Sequence, residues 1–105
     1  MNASTLSALA EPNRMQIVEL LKDRPLSVND IAARLETRQR QTSKHVHTLN
    51  KAGLVVVQPY AQQRIYALNP EPFMQLDDWI NSFEQHWNTR FNKLDEYLTD
   101  LKKGK

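Results

Sequence analysis

Residues 41–55 read QTSKHVHTLNKAGLV, and the elements that this stretch predicts point to one architecture. Thr42, Val46 and Leu49 are spaced four and three residues apart, which places them on one face of a helix. Gly53 can adopt the left-handed backbone conformation that commonly ends a helix. The LVVV segment that begins at the end of the stretch is rich in β-branched residues and favours a strand. We therefore expect a short helix that leads directly into a strand.

A second strand is predicted downstream. RIYAL at residues 64–68 combines β-branched and aromatic residues, and the polar segment QPYAQQ at residues 58–63 joins it to LVVV. The two runs predict a two-stranded hairpin, in which Pro59 limits the first strand near its tip. Tyr66 alternates with Leu68 and is expected in the core.

Three helices are predicted upstream of this segment. Apolar periodicity and the positions of the prolines place them at residues 5–10, 12–23 and 28–35. We expect Ser4 or Thr5 to cap the first helix. Ser27, followed three residues later by Asp30, resembles a capping box at the start of the third.

The last third of the chain has the pattern of one long helix. Pro70 and Pro72 close the hairpin section, and apolar residues then recur at gaps of three or four over about four heptads. A helix of about 29 residues is about 43 Å long, and the domain that precedes it is too small to cover its apolar side. We expect a homodimer through this helix and the first one, with contacts from Leu6, Leu9, Leu76, Ile80, Phe83, Trp87, Phe91, Leu94 and Leu98. A cofactor cradle built from the aromatic residues is the alternative.

Composition bounds the class of protein. The chain has 105 residues, 25% of them charged, and no cysteine, which excludes disulfides, thiolate metal ligands and cysteine nucleophiles. Its longest apolar runs are far shorter than a membrane span, and its beginning does not resemble a signal peptide. The chain has three histidines and no glycine-rich phosphate loop. These residues offer no nucleophile with a general base beside it. We expect a cytoplasmic protein that is not an enzyme and has no membrane partner.

The charge is unevenly distributed along the chain. Residues 1–70 carry a net charge of +4 and residues 71–105 a net charge of −2. Between residues 37 and 66 there is no acidic residue, and the basic ones are Arg38, Arg40, Lys44, Lys51 and Arg64. Such a block is either a polyanion-binding surface or an ordinary solvated face.

The order of predicted elements, α-α-α-α-β-β-α, is a mainly α fold with a small β-hairpin, the winged helix-turn-helix arrangement. QTSKHVHTLNKAGLV resembles the recognition-helix segment of the arsenic-repressor (ArsR) family. LAEPNRMQIVELL at residues 9–21 and RIYALNPEPF at residues 64–73 are similar to the opening helix and the wing of that family. The resemblance implies one domain over residues 1–105, with a DNA-binding core and wing at 4–70 and a dimerisation helix at 71–102.

The resemblance and the charge pattern together assign a DNA interface. The helix at residues 38–52 is expected to enter the major groove of double-stranded DNA. We expect a homodimer to bind an inverted-repeat operator in a promoter and to repress transcription. We expect base contacts from Gln39, Arg40 and Ser43. Phosphate contacts are expected from Arg38, Lys44 and His47, and Gln41 could make either kind. The wing would add Gln62, Gln63 and Arg64.

One of the next two positions departs from the family pattern and the other matches it. Arg38 takes the place of the usual capping serine, so Thr37 is expected to supply the cap. His45, at the usual histidine of the family, is expected either to pack at a helix junction or to reach a phosphate.

Metal sensing is not expected. Some members of the family bind metal through cysteines before the recognition helix, where this chain reads VNDIA, or through a histidine on the last helix, where Trp79 and Ile80 follow Asp78. The aromatic-rich final helix and the NPEP turn at residues 69–72 resemble those of the non-metal subgroup. We expect no cofactor, and a small-molecule inducer is left open. The alternative function is a winged-helix module that docks on another protein through its C-terminal heptad helix.

Overall fold

The computed structural model describes residues 2–103, in which five helices and three strands follow one another. These are α1 (Ala3–Leu9), α2 (Pro12–Leu21), β1 (Leu26–Ser27), α3 (Val28–Leu35), α4 (Gln39–Lys51), β2 (Val55–Tyr60), β3 (Gln63–Leu68) and α5 (Pro70–Lys103). The predicted order is confirmed, with one strand added. The chain divides into two compact units, Met1–Phe73 and Met74–Lys105.

The sheet has three strands in the order β1-β3-β2, all antiparallel. The prediction of a two-stranded hairpin was therefore wrong in strand number. Leu26 pairs with Tyr66 and Ser27 with Ile65, so that β1 lies beside β3. A strand of two residues has no alternating pattern, and its existence depends on a partner about 40 positions away in the sequence.

The hairpin strands are longer than predicted. Tyr60 pairs with Gln63, which leaves only Ala61 and Gln62 in the connection. Ala61 has a φ of 56°, a left-handed conformation that two-residue hairpin turns require and that glycine usually supplies. Pro59 lies within β2, where it is tolerated because β2 is an edge strand of the sheet.

The core of the first unit lies between the helices and the sheet. Thr42, Val46 and Leu49 of α4 are each at most 2% exposed, as the spacing predicted, and Tyr66 is buried as well. Ile31 from α3 and Ile17 from α2 are fully buried in the same core. Burial of each such aliphatic side chain contributes about 1.5–3 kcal/mol to the free energy of folding. This burial fixes which face of α4 is left for solvent.

The helix ends are set by local side-chain hydrogen bonds. Asn2 caps α1, because its Oδ1 accepts from the backbone N–H of Thr5 at 2.9 Å. The expected caps Ser4 and Thr5 were wrong, since α1 begins at Ala3 and both of their hydroxyls donate to Asn2 instead. Ser27 caps α3 as predicted, its Oγ accepting from the N–H of Asp30 at 3.2 Å.

The start of α5 also differs from the prediction. Pro70 and Pro72 lie inside its first turn rather than before it, where a residue without an N–H leaves no hydrogen bond unmade. Asn69 caps this turn, accepting from the N–H of Glu71 at 3.4 Å. Asn69 also donates from its backbone to Leu54 O at 2.9 Å and from its side chain to Gly53 O at 3.0 Å. No helix within residues 2–103 has the length and the apolar character that crossing a membrane requires.

Candidate nucleic-acid interface

The helix α4 begins without a capping side chain of its own. Arg38 occupies the N-cap position, and among the described residues no side chain accepts a hydrogen bond there. The prediction that Thr37 would cap the helix was wrong. The Thr37 hydroxyl lies 2.8 Å from the Thr42 hydroxyl and is hydrogen-bonded to it instead. At the other end, Gly53 has a φ of 82°, and the predicted left-handed stop is confirmed.

The solvent-facing side of α4 carries the residues that the sequence assigned to DNA. A helix turns about 100° per residue, so that Arg40, Ser43, Lys44 and His47 share an arc of about 100° opposite the buried stripe. The assigned residues of this segment are all exposed: Arg38, Gln39, Arg40, Gln41, Ser43, Lys44 and His47. The exposed face is cationic and polar, and none of these residues is an acid.

A cleft of about 280 Å³ separates α4 from the wing. The structure brings five of the assigned residues together along its walls: Gln39, Ser43, Gln62, Gln63 and Arg64. Arg38, Arg40, Lys44 and His47 are not among its lining residues and lie on the exposed surface of α4. The cleft is rich in amides and contains one guanidinium, so it can donate several hydrogen bonds to an anionic oxygen.

Sequence reasoning missed the contribution of α3 to this cleft. Ser27, Val28 and Asn29 line it beside the wing residues. They lie there because β1 pairs with β3, which brings the start of α3 next to the hairpin. The capping pattern at Ser27 was visible in the sequence. No local pattern indicated that the first turn of α3, which contains Asn29, faces the wing.

Gln41 and His45 lie on another side of α4. Both border a small cavity of about 20 Å³ that also contacts Asn13 of α2. His45 is half-buried, with its Nδ1 3.4 Å from Nη1 of Arg14 and 3.7 Å from Oε2 of Glu11. Of the two roles expected for His45, packing at a helix junction is the one that the structure has.

Glu11 is the acidic member of this junction. It is the N-cap of α2, and its Oε2 accepts from the backbone N–H of Arg14 at 3.0 Å. Partial desolvation acts to raise the pKa of Glu11, but the Arg14 hydrogen bond and the charges of His45 and Arg14 outweigh it and hold the pKa below its ordinary value. Glu11 therefore remains a carboxylate beside the Arg14 guanidinium at neutral pH.

The second unit, from Met74 onward, presents a row of large apolar side chains. The side chains expected at a dimer contact between Ile80 and Leu98 are 41–59% exposed: Ile80, Phe83, Trp87, Phe91, Leu94 and Leu98. Leu76 is half-buried. Trp79, which the heptad pattern omitted, packs edge-on against Phe83 with ring centroids 5.1 Å apart. The i, i+4 spacing of these two rings is the signal that could have found it.

The two leucines assigned to the dimer contact in α1 are less exposed. Leu6 and Leu9 are both half-buried, and Leu9 packs partly against the core of its own unit. Within residues 2–103, no three His, Cys, Asp or Glu side chains lie close enough together to hold a metal ion.

Comparison with known proteins places this fold and surface in a family. The sequence model of a helix-turn-helix domain matches residues 9–58, from the end of α1 into β2. The chain is 37% identical over 84 residues to the HTH-type transcriptional regulator NmtR of Mycobacterium tuberculosis, an alignment that covers 80% of this chain and 70% of NmtR. The chain belongs to the ArsR family of winged helix-turn-helix transcriptional regulators.

Two further comparisons agree. The transcriptional activator HlyU of Vibrio cholerae is 39% identical over 64 residues, which cover 61% of this chain and 59% of HlyU. The crystal structure of an ArsR-family transcriptional regulator is 25% identical, with a TM-score of 0.73 over 81% of this chain and 93% of that chain. The ArsR-family chain described here is thus a DNA-binding transcriptional regulator and not an enzyme.

Proposed function

We propose that the protein represses transcription by binding an inverted-repeat operator as a homodimer, with α4 of each copy in the major groove. The observation that carries the proposal is the division of α4 into two faces. Its buried stripe fixes the helix against the core, and its exposed face is polar and cationic. A helix of this kind fits the major groove, where side chains can read base edges.

The cleft between α4 and the wing supports the same reading. When a helix lies in the major groove, a phosphate strand runs along its flank, and contacts to it fix the register of the protein on the duplex. Gln39 and Ser43 on one wall of the cleft and Arg64 on the other would contact such a strand together. The wing residues Gln62 and Gln63 add neutral donors beside it.

The proposed homodimer rests on the apolar row of α5. Side chains as large as Trp87 and Phe91 remain about half exposed in a single chain. Contiguous apolar patches of this kind mark interaction surfaces in proteins, and a second copy of the same helix supplies a matching row. A two-fold dimer would also present two α4 helices, as an inverted repeat requires.

The DNA contacts are tested with two substitutions on the exposed face of α4. A duplex is first selected from a random library by the parent protein, and affinities for it and for a random duplex are measured across a range of salt. Arg40→Ala should weaken binding to the selected duplex and blunt the preference over random DNA. Lys44→Ala should weaken both duplexes similarly and lower the salt slope by about one. If both variants bind the two duplexes as the parent does, the assignment of this face of α4 to DNA is wrong.

The dimer is tested separately. Trp87→Glu places a charge in the apolar row, whereas Gln85→Glu places one on the opposite side of the same helix and serves as the matched control. Sedimentation equilibrium should give a dimer for the parent and for Gln85→Glu, and a much weaker dimer for Trp87→Glu. A parent protein that stays monomeric at micromolar concentration contradicts the proposal.

Repression and the alternative function are separated by two further measurements. A reporter placed behind the selected duplex should be less active when the protein is present, and increased activity would make it an activator, as HlyU is named. A protein-interaction module would bind both duplexes alike and with little dependence on salt. DNA binding that neutralises phosphates releases counterions, and its affinity therefore falls steeply as salt is added.

A further inference from the structure

Arg14 connects three helices of the first unit. It lies in the first turn of α2, and its side chain is half-buried. Nε donates to the carbonyl oxygen of Ala8, and Nη2 donates to that of Ser7 at 3.4 Å, both at the end of α1. Nη1 lies 3.4 Å from Nδ1 of His45 on α4. All three nitrogen atoms of the guanidinium are therefore directed at neighbouring helices.

The chemistry of the pair limits which form of His45 can be hydrogen-bonded to Arg14. Arginine carries only donors and does not lose its proton in proteins, so a hydrogen bond between the two residues needs Nδ1 of His45 as the acceptor, as in a neutral ring with its proton on Nε2. The planar guanidinium holds its donors in a fixed fork, and lysine, with a point charge on a flexible stem, cannot reproduce that geometry. The direction of the contact is thus set by arginine in particular.

Glu11 changes what Arg14 can do. Its carboxylate is held close to Arg14 and to Nδ1 of His45, at 3.7 Å from the latter. The positive charge of Arg14 is therefore partly balanced, and its donors are engaged within the protein. Arg14 is unlike the cations on the open face of α4, such as Arg40 and Lys44, which are exposed to solvent.

We propose that Arg14 is a positioning residue for DNA recognition. By joining the last turn of α1 to His45, it fixes the orientation of α4 relative to α1, the helix that carries Leu6 and Leu9 of the proposed dimer contact. Contacts to base edges tolerate errors of about 0.5 Å or 10–20°, so a small rotation of α4 costs specific contacts while phosphate contacts adapt. The inference rests on the proposed function.

The experiment compares Arg14→Met with Arg24→Met. Arg24 is an exposed arginine in the loop between α2 and β1, so its substitution controls for the loss of one positive charge. With the duplex selected by the parent, Arg14→Met should bind tenfold or more weakly, with a smaller loss on random DNA and an unchanged salt slope. Arg24→Met should bind both duplexes almost as the parent does.

A second pair of variants removes the dependence on one substitution. His45→Phe deletes the acceptor, and we expect the same loss of specific affinity. The double variant Arg14→Met with His45→Phe should lose no more than either single variant, because the two residues act through one contact. Nitrogen NMR of the His45 ring gives an independent readout. The parent should show the Nε2–H tautomer, and Arg14→Met should shift its tautomer balance.

The possible outcomes distinguish a failure of the proposal for Arg14 from a failure of the proposed function. A salt slope that falls by about one in Arg14→Met would identify Arg14 as a phosphate ligand and overturn the inference, as would parental affinity in Arg14→Met. If Arg14→Met does not fold, additive losses from Arg14→Lys and His45→Phe would overturn it in the same way. A parent that selects no sequence at all overturns the proposed function itself.

Discussion

The hydroxyl oxygens of Thr37 and Thr42 lie 2.8 Å apart and are hydrogen-bonded, which links the turn after α3 to the buried face of α4. Thr42 is 2% exposed, whereas Thr37 is half-buried. The bond therefore satisfies a polar group that water cannot reach, at the point where α4 begins.

Removing this bond from its exposed side should destabilise the protein. Thr37→Ala leaves the Thr42 hydroxyl buried without a partner, which should lower the free energy of unfolding by about 1–3 kcal/mol. Adding Thr42→Val removes the orphaned hydroxyl at nearly constant volume and should restore most of the loss. Urea unfolding of the parent, Thr37→Ala and the double variant measures this. A double variant less stable than Thr37→Ala would show that the hydroxyl of Thr42 has another role.

Gly53 should resist substitution for a backbone reason alone. Its φ is +82°, and nothing lies within 4 Å of the position that a Cβ would take. Gly53→Ala should therefore cost about 1 kcal/mol of stability through the left-handed conformation and not through a clash. Thermal unfolding checks the value. Gly53→Asn is the comparison, because asparagine tolerates this conformation better and should cost less.

Glu36 should respond in the opposite sense. It ends α3 with a φ of 54°, a left-handed conformation that suits glycine. Glu36→Gly should leave stability unchanged or raise it by up to about 1 kcal/mol. Ala33→Gly, at an exposed position inside α3, is the control and should lower stability by about 0.5–1 kcal/mol. Equal losses for both substitutions would contradict the expectation.

The charge of Glu11 should give the stability a specific pH dependence. Its pKa is lowered in the folded protein, so its contribution is present at neutral pH and is lost as the pH falls through its folded pKa. Glu11→Gln keeps a capping oxygen but removes the charge. The variant should be less stable than the parent at neutral pH, and the difference should shrink as the pH falls below the ordinary pKa of glutamate and through the lowered pKa of Glu11. Unfolding curves over a series of pH values from neutral to acid measure it, and a difference that grows in acid would reverse the sign of the argument.

Asn29 offers a test in which stability and DNA binding move apart. Asn29→Asp puts a carboxylate into the cleft that we propose for a phosphate strand, and we expect about tenfold weaker binding to both selected and random duplexes. The same change adds an acid to the first turn of α3, where it should not lower stability. Asn92→Asp on α5 is the matched charge control. Parental DNA binding by Asn29→Asp would remove α3 from the interface.

Local patterns were sufficient for much of the fold. The spacing of Thr42, Val46 and Leu49 predicted both the helix α4 and its buried face, since a stripe three and four residues apart has one helical side. Ser27 and Gly53 marked helix ends correctly because capping and left-handed stops depend on adjacent residues. The exposed residues of the candidate DNA interface on α4 followed from the same stripe, because they lie on the side of the helix that the stripe leaves open to solvent.

Other features depended on contacts between distant residues, and these only the tertiary structure decided. The strand at Leu26 exists because Tyr66 is there to pair with it, and that pairing places Asn29 in the cleft. No local pattern in the sequence singles out Arg14, yet in the fold it contacts His45, 31 positions away. The sequence by itself determined which faces are apolar and which are charged, because those depend on periods within one element. Which elements meet, and which polar groups satisfy one another there, depends on packing that no local period encodes.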